Sequence, residues 1–126
     1  MWVFYNPNPL GSNVGDCTVR AISRAMEQSW CKTYEDLAIC GMQVCDMPSA
    51  NNVWGAYLRK NGFCRSLIDD QGDDRYTVKD FCLDNPKGCY ILAIQGHVVC
   101  VVDGDYYDSW DSGNEIPLYS WRKCKN

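Results

Sequence analysis

The chain holds a single histidine, no C-x-x-C pair, no basic face and no long apolar run. Each absence removes a class of function. A membrane-spanning helix needs roughly 20 consecutive apolar residues, and no stretch approaches that length. Residues 1–10 carry neither a basic n-region nor an apolar h-region, so no signal peptide is read and a cytoplasmic location is expected. The formal charge is −4, from 12 Lys and Arg against 16 Asp and Glu. A nucleic-acid binder ordinarily shows a basic footprint, and the only basic cluster here, Arg122, Lys123 and Lys125, reads as a solvated tail. Structural zinc is usually held by tightly spaced Cys and His pairs. With one histidine and loose cysteine spacings, a zinc module is the most distant reading, and no metal or cofactor is expected.

Against these absences stand nine cysteines in 126 residues. The count is odd and no export signal precedes it, so most are expected to be reduced, buried thiols acting as small apolar residues. The length suits one domain. Hydrophobic residues make up 46% and charged residues 22%, an ordinary globular mix that argues against disorder.

Residues 2–5 form a short β-prone run, and the Pro- and Asn-rich segment 6–13 excludes helix or central strand. From about Gly15, Val19, Ile22 and Met26 mark one helical stripe, which leaves Arg20, Arg24, Glu27 and Gln28 largely on the solvent side. A second helix is expected from Thr33, with Asp36 as a weak capping partner and Gly41 as its end. A third runs from about Ser49 to Lys60, followed by a strand over 63–68. Residues 69–74 read as an acidic surface loop without the pattern of a calcium loop. A short helix over 77–83 is capped by Thr77 with Asp80. Four strands follow: 89–94 and 97–102, apolar on both faces, then 105–110 and 116–121. Helices first and an antiparallel sheet afterwards make an α+β domain.

Cys17 stands where the turn-rich loop feeds the first helix. The unpaired N–H groups and positive dipole end of a helix N-terminus favour the thiolate, and a backbone N–H there can donate to an oxyanion. His97 opens a strand. A solitary histidine is often a half-buried packing residue, but a cysteine nucleophile needs a base and His97 alone fits well. If Asp103-Gly104 is a two-residue type I′ turn, Val102 faces Asp105 and His97 shares a sheet face with Val99, Asp108 and Trp110. Asp108 is then the diagonal neighbour that would orient the imidazole. A three-residue turn would instead bring Ser109 and Asp111 to that face, so Asp111 is the alternative.

Asp16-Cys17, the Gly-His-Val-Val strand and Tyr107-Asp108-Ser109-Trp110 together resemble the papain-like cysteine peptidase superfamily. The Asp-Cys pair and the His-Val-Val strand look closer to the compact bacteriocin-processing peptidases. Tyr5-Asn6-Pro7 with the run from Gly15 to Ala21 is similar to small bacterial and phage proteins. The resemblance implies a papain-like fold in one domain over residues 1–126. It implies Cys17 as nucleophile, His97 as general base and then acid, and Asp108 as orienter. The reaction would be attack on an amide or isopeptide carbonyl of a peptide or protein substrate through a thioester. The family usually places an oxyanion-hole Gln six residues before the cysteine, and that position is Gly11 here. Asn6, Asn8 and Asn13 are candidate replacements, although each also suits a turn. Trp110 in such a fold would shield the His–Asp pair from water.

Two other functions fit the same residues. A deamidase, glutaminase or acyltransferase would use the same Cys-His-Asp chemistry. A non-catalytic binding protein on this scaffold would use the acidic surface and the aromatics Tyr106, Tyr107, Tyr119 and Trp121 as a partner site.

Overall fold

The computed structural model describes residues 1–68 and 75–124. The acidic loop expected at 69–74, and Lys125 of the basic cluster, lie outside the described residues. The elements are β1 (Trp2–Phe4), α1 (Cys17–Met26), α2 (Trp30–Val44), α3 (Asn51–Lys60), β2 (Phe63–Leu67), α4 (Val78–Asp84), β3 (Cys89–Ile94), β4 (His97–Val102), β5 (Asp105–Asp108) and β6 (Pro117–Lys123). The strands make one sheet in the order β1-β5-β4-β3-β6-β2. The domain is α+β, with four helices and a six-stranded, mostly antiparallel sheet among the described residues.

Strands β3 and β4 are apolar on both faces because both faces are covered. On one side Val19 and Ile22 of α1, Leu37 of α2, and Trp54 and Leu58 of α3 pack on Ile91, Ala93, Val98, Cys100 and Trp121. On the other side Val78, Phe81 and Cys82 of α4 pack on Leu92, Val99, Val101 and Tyr106. At roughly 1.5–3 kcal/mol for each large apolar side chain withdrawn from water, these two clusters dominate the favourable side of folding. Tyr106 and Trp121 therefore belong to the core, at 2% exposure each, and are not part of an exposed aromatic surface. Tyr107 and Tyr119 are half-buried, under the guanidinium groups of Arg24 and Arg65.

The sheet departs from the expected order at both edges. Strand β1 pairs parallel with β5, Trp2 opposite Tyr106 and Phe4 opposite Asp108. Strand β2 comes from between the helices and pairs antiparallel with β6. Cys64 of β2 and Cys124 after β6 form a disulfide, Cα to Cα 5.2 Å. That corrects the expectation for two of the nine cysteines. Of the seven free thiols, Cys31 and Cys45 are exposed rather than buried.

Helix α2 starts three residues earlier than its capping pattern suggests and runs past Gly41. Ser29 is the cap, and its hydroxyl accepts from Lys32 N–H. Asp36 is drawn instead into a pair with Lys32 and a hydrogen bond from Tyr57. Gly41 is not a terminator. A Cβ there would lie 2.5 Å from the Asp46 carbonyl oxygen, because the chain folds tightly back across it. The left-handed residue that ends the helix is Cys45, at φ 56°. The short helix α4 has the expected capping box, with Thr77 and Asp80 each bonding the other's backbone N–H.

The β4–β5 turn decides the site. Asp103 and Gly104 both take positive φ, 49° and 81°, as a type I′ turn requires. Val102 then pairs with Asp105, Val101 with Tyr106 and Cys100 with Tyr107.

Candidate active site

Three chain segments end at one place. Helix α1 begins at Cys17, β4 begins at His97 and β5 ends at Asp108. Alternation along β4 puts His97 on the side of Val99 and Val101, and the turn register puts Asp108 on the side of Tyr106, which packs with them. His97 Nε2 lies 2.6 Å from Asp108 Oδ2. With Nε2 given to the carboxylate, Nδ1 is left for the thiol, and Cys17 and His97 line the same cavity.

Asp108 is wholly buried, and every acceptor position it offers is used. Oδ2 accepts from Ser112 Oγ at 2.6 Å as well as from His97. Oδ1 accepts from Arg20 Nη2 at 2.8 Å and from Ser109 N–H at 2.8 Å. Asp111, the alternative, points elsewhere: Tyr106 Oη and Gly113 N–H both donate to its Oδ1.

Arg20 corrects the expected solvent face of α1. Its side chain is buried, and Nη1 reaches Asp16 Oδ1 while Nη2 reaches Asp108. Trp30 Nε1 donates to Asp16 Oδ2 at 2.8 Å. Asp16 is the N-cap residue of α1 but makes no side-chain cap, because its carboxylate is turned to Arg20 and Trp30. The first-turn N–H groups beside Cys17 are thus left without a side-chain acceptor. Neither the pairing of Arg20 nor the role of Ser112 was legible in the sequence. The only hint was that Asp16 and Arg20 stand four apart, the spacing of an intrahelical ion pair.

The electrostatics follow from these contacts. Burial pushes the Cys17 thiol up. The hydrogen bond and charge of His97, a hydrogen bond from the Val98 backbone and the charge of Arg20 outweigh it and hold the thiol below its ordinary value. Burial pulls His97 down, but Asp108 and Cys17 together raise it to about 9. Burial likewise pushes Asp108 up, and its bonds to His97 and Ser112, with the charge of His97 and the bond from Arg20, hold it below the usual carboxylate range. The arrangement therefore shifts Cys17 toward the thiolate and His97 toward the imidazolium. Cys89 is also drawn down, by its interaction with the neighbouring Cys100 thiol, which outweighs burial, with the charge of Arg24 helping. It sits at the margin of the main core cluster.

A cavity of about 510 Å³ adjoins Cys17 and His97. Trp54, Leu118 and Tyr119 form its apolar wall, and among the described residues no Asp, Glu, Lys or Arg lines it. Leu118 reaches it through an irregularity: Ala93 pairs with Tyr119 and Ile94 with Pro117, so Leu118 is bulged out of the ladder. Trp110 lies over His97, ring centroids 4.7 Å apart. It is 43% exposed, so it covers the imidazole from the solvent side and is not core.

Asn6, Asn8 and Asn13 are not among the residues lining this cavity. Asn6 Nδ2 donates to the Gly11 and Ser12 carbonyls, and Asn8 Oδ1 accepts from Leu10 and Ser12 N–H. These two side chains are consumed in shaping the loop, and Asn13 is exposed. The asparagine that does line the cavity is Asn51, in the first turn of α3. Its Oδ1 accepts from Trp54 Nε1 at 3.1 Å, which orients the amide and leaves Nδ2 as a donor.

No group of three or more His, Cys, Asp or Glu side chains suited to a metal occurs among the described residues. No described helix is long and apolar enough to cross a membrane. No family model matches the chain, and neither a curated protein nor a solved structure is a match for it.

Proposed function

We propose that this chain is a papain-like cysteine hydrolase that cleaves an amide or isopeptide bond through a thioester on Cys17. One observation carries the reading: His97 shares a cavity with Cys17 while its Nε2 holds the buried Asp108 carboxylate at 2.6 Å. Cys17 attacks the carbonyl carbon as the thiolate. The C–N bond breaks as the His97 imidazolium gives its proton to the leaving nitrogen. Water then attacks the thioester, with His97 taking its proton, and the acid leaves with Cys17 restored. Asp108 keeps the imidazole in the tautomer and orientation that both steps need. Apart from Cys17 and His97, the described residues lining the cavity are uncharged, which suits a neutral portion of a peptide or protein chain beside the reacting carbonyl.

A small activated acyl ester tests the nucleophile without knowledge of the natural substrate. Brief exposure followed by peptide mapping is expected to place the acyl group on Cys17 and to show its loss to water. The exposed thiols Cys31 and Cys45 serve as internal references. Acylation spread over those two with no preference for Cys17 would overturn the reading. Persistent transfer to added amines in place of water would redirect it to an acyltransferase.

The oxyanion hole is assigned, within the same proposal, to the backbone N–H at Cys17 and the Asn51 amide. Asn51→Asp keeps the acceptor for Trp54 and removes the donor. Loss of one such donor typically lowers kcat by about 10²–10³-fold, with KM little changed. An unaltered kcat in this variant would remove Asn51 from the site.

A further inference from the structure

We infer that Arg20 is a positioning residue of this site, clamping the helix that carries Cys17 to the carboxylate that orients His97 and supplying the site with a fixed positive charge. The inference rests on the proposed hydrolase reading and extends it. Arg20 lies one turn along α1 from Cys17, and Asp16 immediately precedes Cys17. One guanidinium nitrogen holds Asp16 and the other holds Asp108 at 2.8 Å, and both carboxylates are buried. A planar fork can bridge two acceptors at fixed geometry, which the point charge of a lysine cannot. Trp30 on α2 anchors the far side of Asp16. The chain of contacts thus runs from α2 through Asp16, Arg20 and Asp108 to His97, and back to Cys17.

The groups facing one another here are Asp16 at the N-cap of α1, Cys17 and Arg20 on α1, His97 on β4, Asp108 on β5, and the neutral Ser112 and Trp30. Arg24, the next cation on α1, lies over the Tyr107 ring. With Cys17 ionised, three negative groups meet two positive ones. Removing Arg20 leaves three against one. A lost positive charge makes every nearby proton harder to remove, so Cys17 and His97 would both titrate at higher pH. A mere loosening of the pair would act differently: Cys17 would rise while His97 fell toward its ordinary value.

The experiment is the pH profile of Cys17 alkylation by iodoacetamide, read by peptide mapping because Cys89 is also shifted. Wild type, Arg20→Met, Arg20→Lys and Asp16→Asn are compared, with circular dichroism to check the fold. The profile rises as Cys17 ionises and changes again as His97 loses its proton. Both limbs are expected to move up by about one pH unit in Arg20→Met. Arg20→Lys is expected to return them most of the way. Asp16→Asn removes a negative charge and moves both limbs down, which supplies a test of opposite sign should Arg20→Met not fold. Limbs unmoved in a folded Arg20→Met, limbs that converge, or an upward shift in Asp16→Asn would overturn the inference. A wild-type profile with no thiolate below the ordinary thiol range would instead overturn the hydrolase reading itself.

Discussion

Replacing His97 with alanine is expected to slow alkylation of Cys17 near pH 6 by about 10- to 100-fold. An ordinary thiol is only about 0.3% ionised at that pH, whereas a thiolate paired with an imidazolium is mostly ionised. The gain is less than the ratio of ionised fractions, because nucleophilicity falls as the thiol pKa falls. Turnover of an amide substrate is expected to fall further, by about 10²–10⁴-fold, because the leaving nitrogen also loses its proton donor. Peptide-mapped alkylation rates decide the first point. An unchanged rate would mean that the helix terminus alone activates Cys17, and that His97 is a packing residue under Trp110.

The second large effect concerns Asp108. In Asp108→Asn the negative charge that helps raise His97 to about 9 is gone. The upper limb of the pH profile is therefore expected to move down, toward the ordinary histidine value of ~6.5. Catalysis falls by about 10²–10⁴-fold, as the imidazole loses its orienter and the stabilisation of its charged form. Stability falls too. Arg20 and Ser112 were satisfied by this carboxylate, and breaking one side of a buried ion pair costs about 3–5 kcal/mol. Urea denaturation measures that loss. Asp111→Asn is the control: its carboxylate serves Tyr106 and Gly113 N–H, so the alkylation profile is expected to stay in place. A profile displaced by Asp111→Asn and not by Asp108→Asn would reverse the assignment.

The turn chemistry explains why Asp108 is legible in the sequence. Asp103-Gly104 is a two-residue sequence that tolerates left-handed backbone at both positions, and the strands on either side have period two. Those facts set the parity of β4 against β5, so His97 and Asp108 fall on one face. Cys17 was legible for a related reason: a turn-rich loop running into an amphipathic stretch places a helix N-terminus at a definable residue. The asparagine at the cavity was less legible. Asn6 and Asn8 looked like donors by residue type, but a short loop closing on itself used their side chains for its own backbone. Asn51 lies in a different helix and meets the cavity only through long-range packing.

Arg20 shows where local reading fails. Helical periodicity assigned it to the solvent face, since a charged side chain beside an apolar stripe is normally solvated. Two buried carboxylates from different parts of the chain, Asp16 and Asp108, make that burial favourable, and no local pattern joins Arg20 to Asp108, 88 positions away. Gly41 was misread in the same way. Its need for a missing Cβ comes from the backbone at Asp46 folding against the helix, not from a helix end.

By itself the sequence determined the α+β class, strands β3 and β4, the type I′ turn and the pairing logic of His97 with Asp108. All of these depend on backbone preferences and periodicity within about a dozen residues. Only the tertiary structure decided that β1 joins the sheet in parallel and that Cys64 pairs with Cys124. It also decided that Asn51 lines the cavity and that Arg20 is buried between two carboxylates. These are contacts between distant segments, where burial and charge pairing override the local preference of each residue.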